Sequence, residues 1–166
     1  MEMDTLRELY VEEIKDLWSA EKQILQALPR MIKAATHPQL KRAFAKHEKQ
    51  TRVHVTRLER ICKQLDESPR GKKCVGMEGL LQEGKDLIKE RPEPDVLDAG
   101  LISAAQHVEH YEMAGYGTCR TWARTLGYES QAQLLQTTLD EEQKTDLDLT
   151  ALAESSINLD AEGDDE

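Results

Sequence analysis

At 166 residues and 39% apolar composition, the chain is long enough to bury one domain's core without disulfides. Thirty-two acidic residues against 22 basic ones give a formal charge of -10, which argues against nucleic acid or an anionic membrane surface as partner. Cys62, Cys74 and Cys119 are odd in number and lack paired metal-ligand spacing, Met1 to Tyr10 lacks the apolar run of a signal peptide, and no later stretch reaches membrane-spanning length, so a reducing, cytoplasmic setting is expected.

Thr5 followed by Glu8 reads as a capping box that opens a first helix. Leu6, Leu9, Tyr10, Ile14, Leu17, Trp18, Ile24, Leu25, Leu28, Met31 and Ile32 keep the spacing of one buried stripe, which predicts a helix over 5–34, bent but not ended by Pro29. Thr36, Pro38 and Gln39 signal a second start, with a capping oxygen, a first-turn proline and a glutamine three residues on. Leu40, Phe44, Leu58, Ile61 and Leu65 carry that stripe to about residue 66, where Ser68-Pro69-Arg70-Gly71 breaks it.

From Cys74 to Glu90, Met77, Leu80, Leu81, Leu87 and Ile88 mark one side of a shorter helix, interrupted by Gly76, Gly79 and Gly84. Pro92 and Pro94 end it, and Asp95 is expected to cap a third long helix with the stripe Leu97, Leu101, Ala104, Ala105, Val108, Trp122 and Leu126, stopped at Gly127. A fourth helix, from Glu129 to Glu154, carries Leu134, Leu135, Leu149 and Leu152, and no segment shows strand alternation. Helices 1 and 2, and 3 and 4, are joined by a few residues and should form antiparallel hairpins. Helices 2 and 3 are separated by roughly thirty residues, enough to cross the length of a bundle. The expected architecture is all-α: a ferritin-like four-helix bundle over 1–154, its two hairpins joined by a crossover containing a short helix, then a disordered acidic tail over 155–166.

Each stripe is interrupted by polar residues near the middle of its helix. Glu21 lies between Leu17 and Ile24; His47, Gln50 or Thr51, and His54 lie between Phe44 and Leu58. Glu109 and Glu112 follow Val108, and Thr138, Glu141 or Glu142, and Thr145 lie between Leu134 and Leu149. One such residue alone is more often a stripe-edge charge or a satisfied core histidine. Four interruptions at one depth are different, because an unpaired buried carboxylate costs several kcal/mol and several together require a compensating cation. Carboxylates and imidazoles facing inward from four helices suit two divalent iron or manganese ions. The cysteines read as inert, and Tyr111 and Tyr116 as packing residues.

These residues resemble the YciE/YciF-type bacterial stress proteins, a ferritin-like family within the di-iron carboxylate group. The similarity runs from Leu6 to Leu152 and is most specific in Ser19-Ala20-Glu21-Lys22-Gln23, Gly71-Lys72-Lys73-Cys74, Met77-Glu78-Gly79-Leu80, Val108-Glu109-His110-Tyr111-Glu112 and Thr138-Leu139-Asp140-Glu141-Glu142 with Thr145-Asp146. The resemblance implies a stress-linked homodimer with a dinuclear centre. Glu21, Glu112 and Glu142 match its carboxylate positions, with Glu109 close by. Helix 2 departs from the ferritin pattern, in which a Glu is followed three residues later by His, by having Gln50 and then His54.

The expected metal ligands are therefore Glu21, Gln50, His54, Glu109, Glu112 and Glu142, with His47, Glu141 or Asp146 as alternatives and no catalytic residue separate from the ligands. The expected function is an iron or manganese redox protein reacting with peroxide or oxygen, ferroxidase- or catalase-like. The alternative is a metal-free or structurally metallated dimeric scaffold of the stress response. A DNA-protecting cage is disfavoured, because the chain lacks a basic terminal arm. For a second copy, the crossover offers Met77, Leu80, Leu81 and Leu87 as apolar surface.

Overall fold

The structure is a computed structural model and describes residues 3–163. Helix α1 (Leu6–Ala34) starts on the Thr5–Glu8 box, with the Thr5 hydroxyl accepting from the Glu8 amide at 3.2 Å and the Glu8 carboxylate accepting from the Thr5 amide at 2.9 Å. It runs through Pro29 to Ala34. Helix α2 (Pro38–Gln64) is not capped by Thr36, as the sequence pattern suggested. His37 is the N-cap, its Nδ1 accepting from the Gln39 amide at 3.2 Å. Thr36 turns instead to Asp98 of a later helix. That carboxylate is buried, but it accepts from the Thr36 amide (2.8 Å), the Thr36 hydroxyl (2.6 Å) and the His37 amide (2.7 Å), which offsets its lost hydration.

The chain leaves α2 at Asp66, in the left-handed region with φ 58°. Helix α3 (Val75–Glu90) is the short helix expected in the connection. Its N-cap is Cys74, and Arg91 ends it with φ 52°. In α4 (Pro94–Thr125) Glu93 holds the N-cap position without a side-chain bond, and Asp95, expected as the cap, lies in the first turn. Gly127, at φ 77°, makes the turn into α5 (Glu129–Leu152).

The disordered tail expected from residue 155 is corrected over its described part. A π-helical turn (Ala153–Ile157) and α6 (Asn158–Glu162) continue the chain, with Ile157 buried in the same apolar cluster as Leu101 and Leu149. Acidic composition suggested solvation, but one buried isoleucine anchors the segment. Residues 164–166 lie outside the described residues.

Packing follows the stripes. Helix α1 lies on α2 and α4 on α5, while α1 also touches α4 and α2 touches α5. Arg7 donates to the Leu65 carbonyl (3.2 Å), so the start of α1 meets the end of α2. Gln106 meets Thr150 (2.7 Å) and Arg120 meets Gln136 (2.8 Å), so α4 and α5 also run in opposite directions. Helix α3 lies across α1 and α4. Gly100 permits this approach, since a Cβ there would stand 2.6 Å from Leu87 Cδ2. Met77 is fully buried, and Leu80 and Leu81 pack on the core. The apolar face that the sequence offered to a second copy is thus largely used within the chain. No helix among the described residues is long and apolar enough to cross a membrane.

The core is divided. One apolar cluster contains Ile24, Leu28, Phe44, Leu101, Val108 and Leu149. The other contains Tyr10, Ile14, Leu17, Leu58, Tyr116 and Leu135. Along α1, Glu21 sits between Leu17 of one cluster and Ile24 of the other. Along α2, His47, Thr51 and His54 sit between Phe44 and Leu58. A polar layer therefore separates two apolar ones.

Candidate metal centre

Four helices each contribute to that layer at helical spacing. Helix α1 brings Glu21, α2 brings His47 and His54 two turns apart, α4 brings Glu109 and Glu112 one turn apart, and α5 brings Glu142. All six side chains are buried. Their ligand atoms form two groups, His47 with Glu109, Glu112 and Glu142, and Glu21 with His54 and Glu142, each with its atoms within 4.8 Å of one another. Glu142 belongs to both. Either group could hold a metal ion, and the two share one carboxylate.

The chemistry of the donors fits metal better than it fits a self-satisfied network. Glu21 Oε2, both nitrogens of His47, His54 Nδ1, Glu109 Oε2 and both oxygens of Glu112 and of Glu142 lack aligned hydrogen-bond partners among the described residues. His54 Nδ1 lies 2.8 Å from Glu142 Oε1 and 3.2 Å from Glu21 Oε1, near enough for an ion pair but not aligned as a hydrogen bond. His47 Nε2 stands 3.3 Å from Glu109 Oε1 in the same manner. Buried polar atoms are ordinarily paired, and so many converging without partners could hold a cation between them.

Without a cation, protons carry the compensation. Burial, reinforced by the Glu142 and Glu21 charges, pushes Glu109 well above 4.5. Burial with Glu21, Glu142 and Glu109 does the same to Glu112. Burial alone would lower His54, but Glu142 and Glu21 outweigh it and raise the imidazole to about 10. Burial likewise opposes ionisation of Glu142, yet Glu109, His54 and His47 overcome it and hold this carboxyl below 4.5. Burial keeps His47 below 6.5 despite Glu142 and Glu21.

The outer partners orient the inner ones. Glu141, an alternative ligand in the sequence reading, is only half-buried and lies outside both groups. It accepts from Arg57 through two bonds of 2.6 and 3.0 Å and meets His54 Nε2 at 2.8 Å. Burial would raise this carboxyl, but Arg57 and His54 hold it low, so it is ionised and His54 Nε2 must donate. The ring is thereby held with Nδ1 toward Glu21 and Glu142, the carboxylate–histidine arrangement that positions metal ligands. Tyr116, read from the sequence as packing, donates its hydroxyl to Glu21 Oε1.

Of the six sequence-predicted ligands, the close groups contain Glu21, His54, Glu109, Glu112 and Glu142. Gln50 is half-buried, and its Oε1 is buried without a partner. His47, held as an alternative, stands fully within one group, a placement foreshadowed by its seven-residue spacing to His54. Asp146 lies outside both groups, its Oδ1 3.2 Å from Nε2 of the exposed His110 without an aligned hydrogen bond. The three cysteines are free and buried, and burial raises Cys62 to about 11 and Cys119 above 9, in keeping with inert thiols.

A family profile described as "Domain of unknown function (DUF892)" matches residues 5–162. Protein YciF of Escherichia coli K12 is 40% identical over 163 residues, 98% of each chain. The crystal structure of the E. coli stress protein YciF superposes with a TM-score of 0.90 at 39% identity, covering 94% of this chain and 99% of that one. YcfI of Rhodopseudomonas palustris, described as a candidate structural protein, gives 0.87 at 36% identity over 90% of this chain and 95% of its own.

Proposed function

The chain belongs to the DUF892 family, and on that premise we propose that it is a stress-related, ferritin-like four-helix bundle holding a dinuclear iron or manganese centre that reacts with dioxygen or peroxide. In this reading α1–α2 and α4–α5 are the two antiparallel hairpins and α3 is the crossover between them. The observation that carries it is the pair of buried His/Glu groups sharing Glu142, with their donor atoms unpartnered. Glu21, His54 and Glu142 would hold one ion, and His47, Glu109, Glu112 and Glu142 the other. Held there, two such ions would supply the two electrons that, with two protons, reduce dioxygen to hydrogen peroxide or hydrogen peroxide to two waters.

The chain's own residues set the conditions. Arg57 and Glu141 fix the His54 ring, Tyr116 holds one oxygen of Glu21, and the apolar layers on either side keep water from the buried carboxylates. The test is elemental analysis of fresh protein and of protein reconstituted anaerobically with iron(II) or manganese(II), with two ions per chain expected. Binding of neither above background would favour the scaffold reading, which the description of the R. palustris relative supports. A homodimer is part of the proposal on the strength of the family resemblance, and light scattering at micromolar concentration should return twice the 18.9 kDa chain mass.

A further inference from the structure

Two cavities share a wall on the side of the chain covered by α3. The outer one, about 270 Å³, opens between α1, α3 and α4 with charged side chains at its rim, including Arg30, Lys73 and Lys85. The inner one, about 20 Å³ and itself partly open, reaches His47 and Glu109 of the metal centre and is lined mainly by apolar residues such as Ile24, Leu28, Phe44 and Leu149. Four side chains line both and so form the partition: Ala27 and Met31 of α1, Leu81 of α3 and Val108 of α4. Beyond the centre's own residues, Thr145 brings the inner lining's one polar side chain, and its hydroxyl is spent on the Glu141 carbonyl at 3.0 Å.

The chemistry of this wall selects what crosses it. About 10–15 Å³ suffices for a water-sized body, but water also needs two to four polar partners, which the partition lacks. A hydrated cation would have to shed its shell among methyl groups with no oxygen ligand in return. Peroxide carries two hydroxyls, and an unpaired hydroxyl moved from water to an apolar setting costs about 2–7 kcal/mol. Dioxygen has no such penalty. We propose that this partition is the entrance by which dioxygen reaches the centre, with Ala27, Met31, Leu81 and Val108 as its gate, and that hydrated metal ions enter elsewhere. The inference rests on the dinuclear reading and narrows its oxidant from dioxygen or peroxide to dioxygen. It also gives α3 a task, since Leu81 lines the gate, while the unbranched Met31 can move aside without disturbing the helices.

Xenon, an apolar probe, tests the path on the metal-free protein. Stopped-flow oxidation of anaerobically loaded iron(II) tests its use. Ala27→Leu fills the partition and Leu81→Ala opens it, neither being a ligand. Wild type should bind xenon at the inner cavity, and Ala27→Leu should weaken that binding at least ~10-fold. The same variant should take up iron(II) to the wild-type ratio yet oxidise it at least ~10-fold more slowly with dioxygen, while Leu81→Ala matches or exceeds the wild-type rate. Absence of xenon from the cavity, or dioxygen rates unmoved by both variants, overturns the entrance. If Ala27→Leu fails to fold, xenon in wild type and the Leu81→Ala rate decide alone: no xenon in the cavity, or a Leu81→Ala rate below wild type, overturns the entrance. If no form takes up metal, the dinuclear reading fails, and the entrance to it with it, whereas failure of the entrance alone leaves metal uptake intact.

Discussion

Replacing Glu112 with leucine separates a metal ligand from a structural acid. Glu112 is fully buried, neither of its oxygens has an aligned hydrogen-bond partner, and burial with the neighbouring Glu21, Glu142 and Glu109 charges raises its pKa, so in the metal-free protein its ionised form is disfavoured. Leaving a buried polar group unsatisfied costs about 1–3 kcal/mol, and fully burying a leucine contributes about 1.5–3 kcal/mol. Strain from the change of shape returns up to about 1–3 kcal/mol. The metal-free variant should therefore be as stable as wild type or up to about 5 kcal/mol more so, a rise of up to about 15 °C in Tm for a chain of this size. Glu21 and Glu142 are poorer choices, because leucine there would strand the Tyr116 hydroxyl or the His54 charge. Metal should reverse the order: at a thousand times its Kd, a ligand specific for the folded state adds about 4 kcal/mol to wild type, most of which the variant forfeits. Calorimetric melts of both proteins, with and without iron(II) or manganese(II), give the four values needed. A variant that melts below metal-free wild type and gains as much from metal would refute the assignment of Glu112.

Removing the outer support with Arg57→Ala frees Glu141 and loosens the His54 ring, so metal affinity by competition titration should fall ~10–100-fold; an unchanged affinity would mean that the ring is held by packing alone. Metal binding near neutral pH should release protons, because His54 is raised to about 10 and Glu109 and Glu112 stand well above 4.5, so affinity should climb with pH and calorimetry in buffers of different ionisation enthalpy should show the release. By the same His54 shift, the folded metal-free protein binds a proton that the unfolded chain loses above 6.5, so its stability should fall as pH rises from 6.5 towards 10, and denaturant melts across that range check the sign. Ile157→Ala should cost about 2–5 kcal/mol, whereas Leu159→Ala, at a position 61% exposed, should change the melt little.

The long helices were legible in the sequence because their causes are local. The Thr5–Glu8 box and the Leu17–Ile24–Leu28 stripe specify where α1 starts and which face it buries, and Gly127 supplies the turn between α4 and α5. The polar layer was legible as well, since an acid or imidazole at a buried position of a helical stripe is visible in the spacing, and Glu21, His54, Glu109, Glu112 and Glu142 do meet in the interior. What remained open depended on residues far apart in the chain. Thr36 has the form of a cap, but Asp98, 62 positions away, draws its hydroxyl and amide and leaves the cap to His37. The acidic stretch after Leu152 has the composition of a solvated tail, yet Ile157 finds a place in the core.

Between Glu141 and Glu142 the sequence alone allowed either as ligand, because adjacent residues differ by about 100° around a helix and the stripe tolerates that width. The way α5 settles against α2 turns Glu142 inward and leaves Glu141 at the edge within reach of Arg57 and His54. His47 joins the centre by the same means, through the rotation of α2 against α4. The sequence by itself therefore determined the helices, their buried faces and the residue types of the centre, all of which follow from period and propensity. Only the tertiary structure decided which donors point at one another and which stand behind them, because that choice depends on helix rotations of less than one residue's step, set by packing between elements remote in sequence.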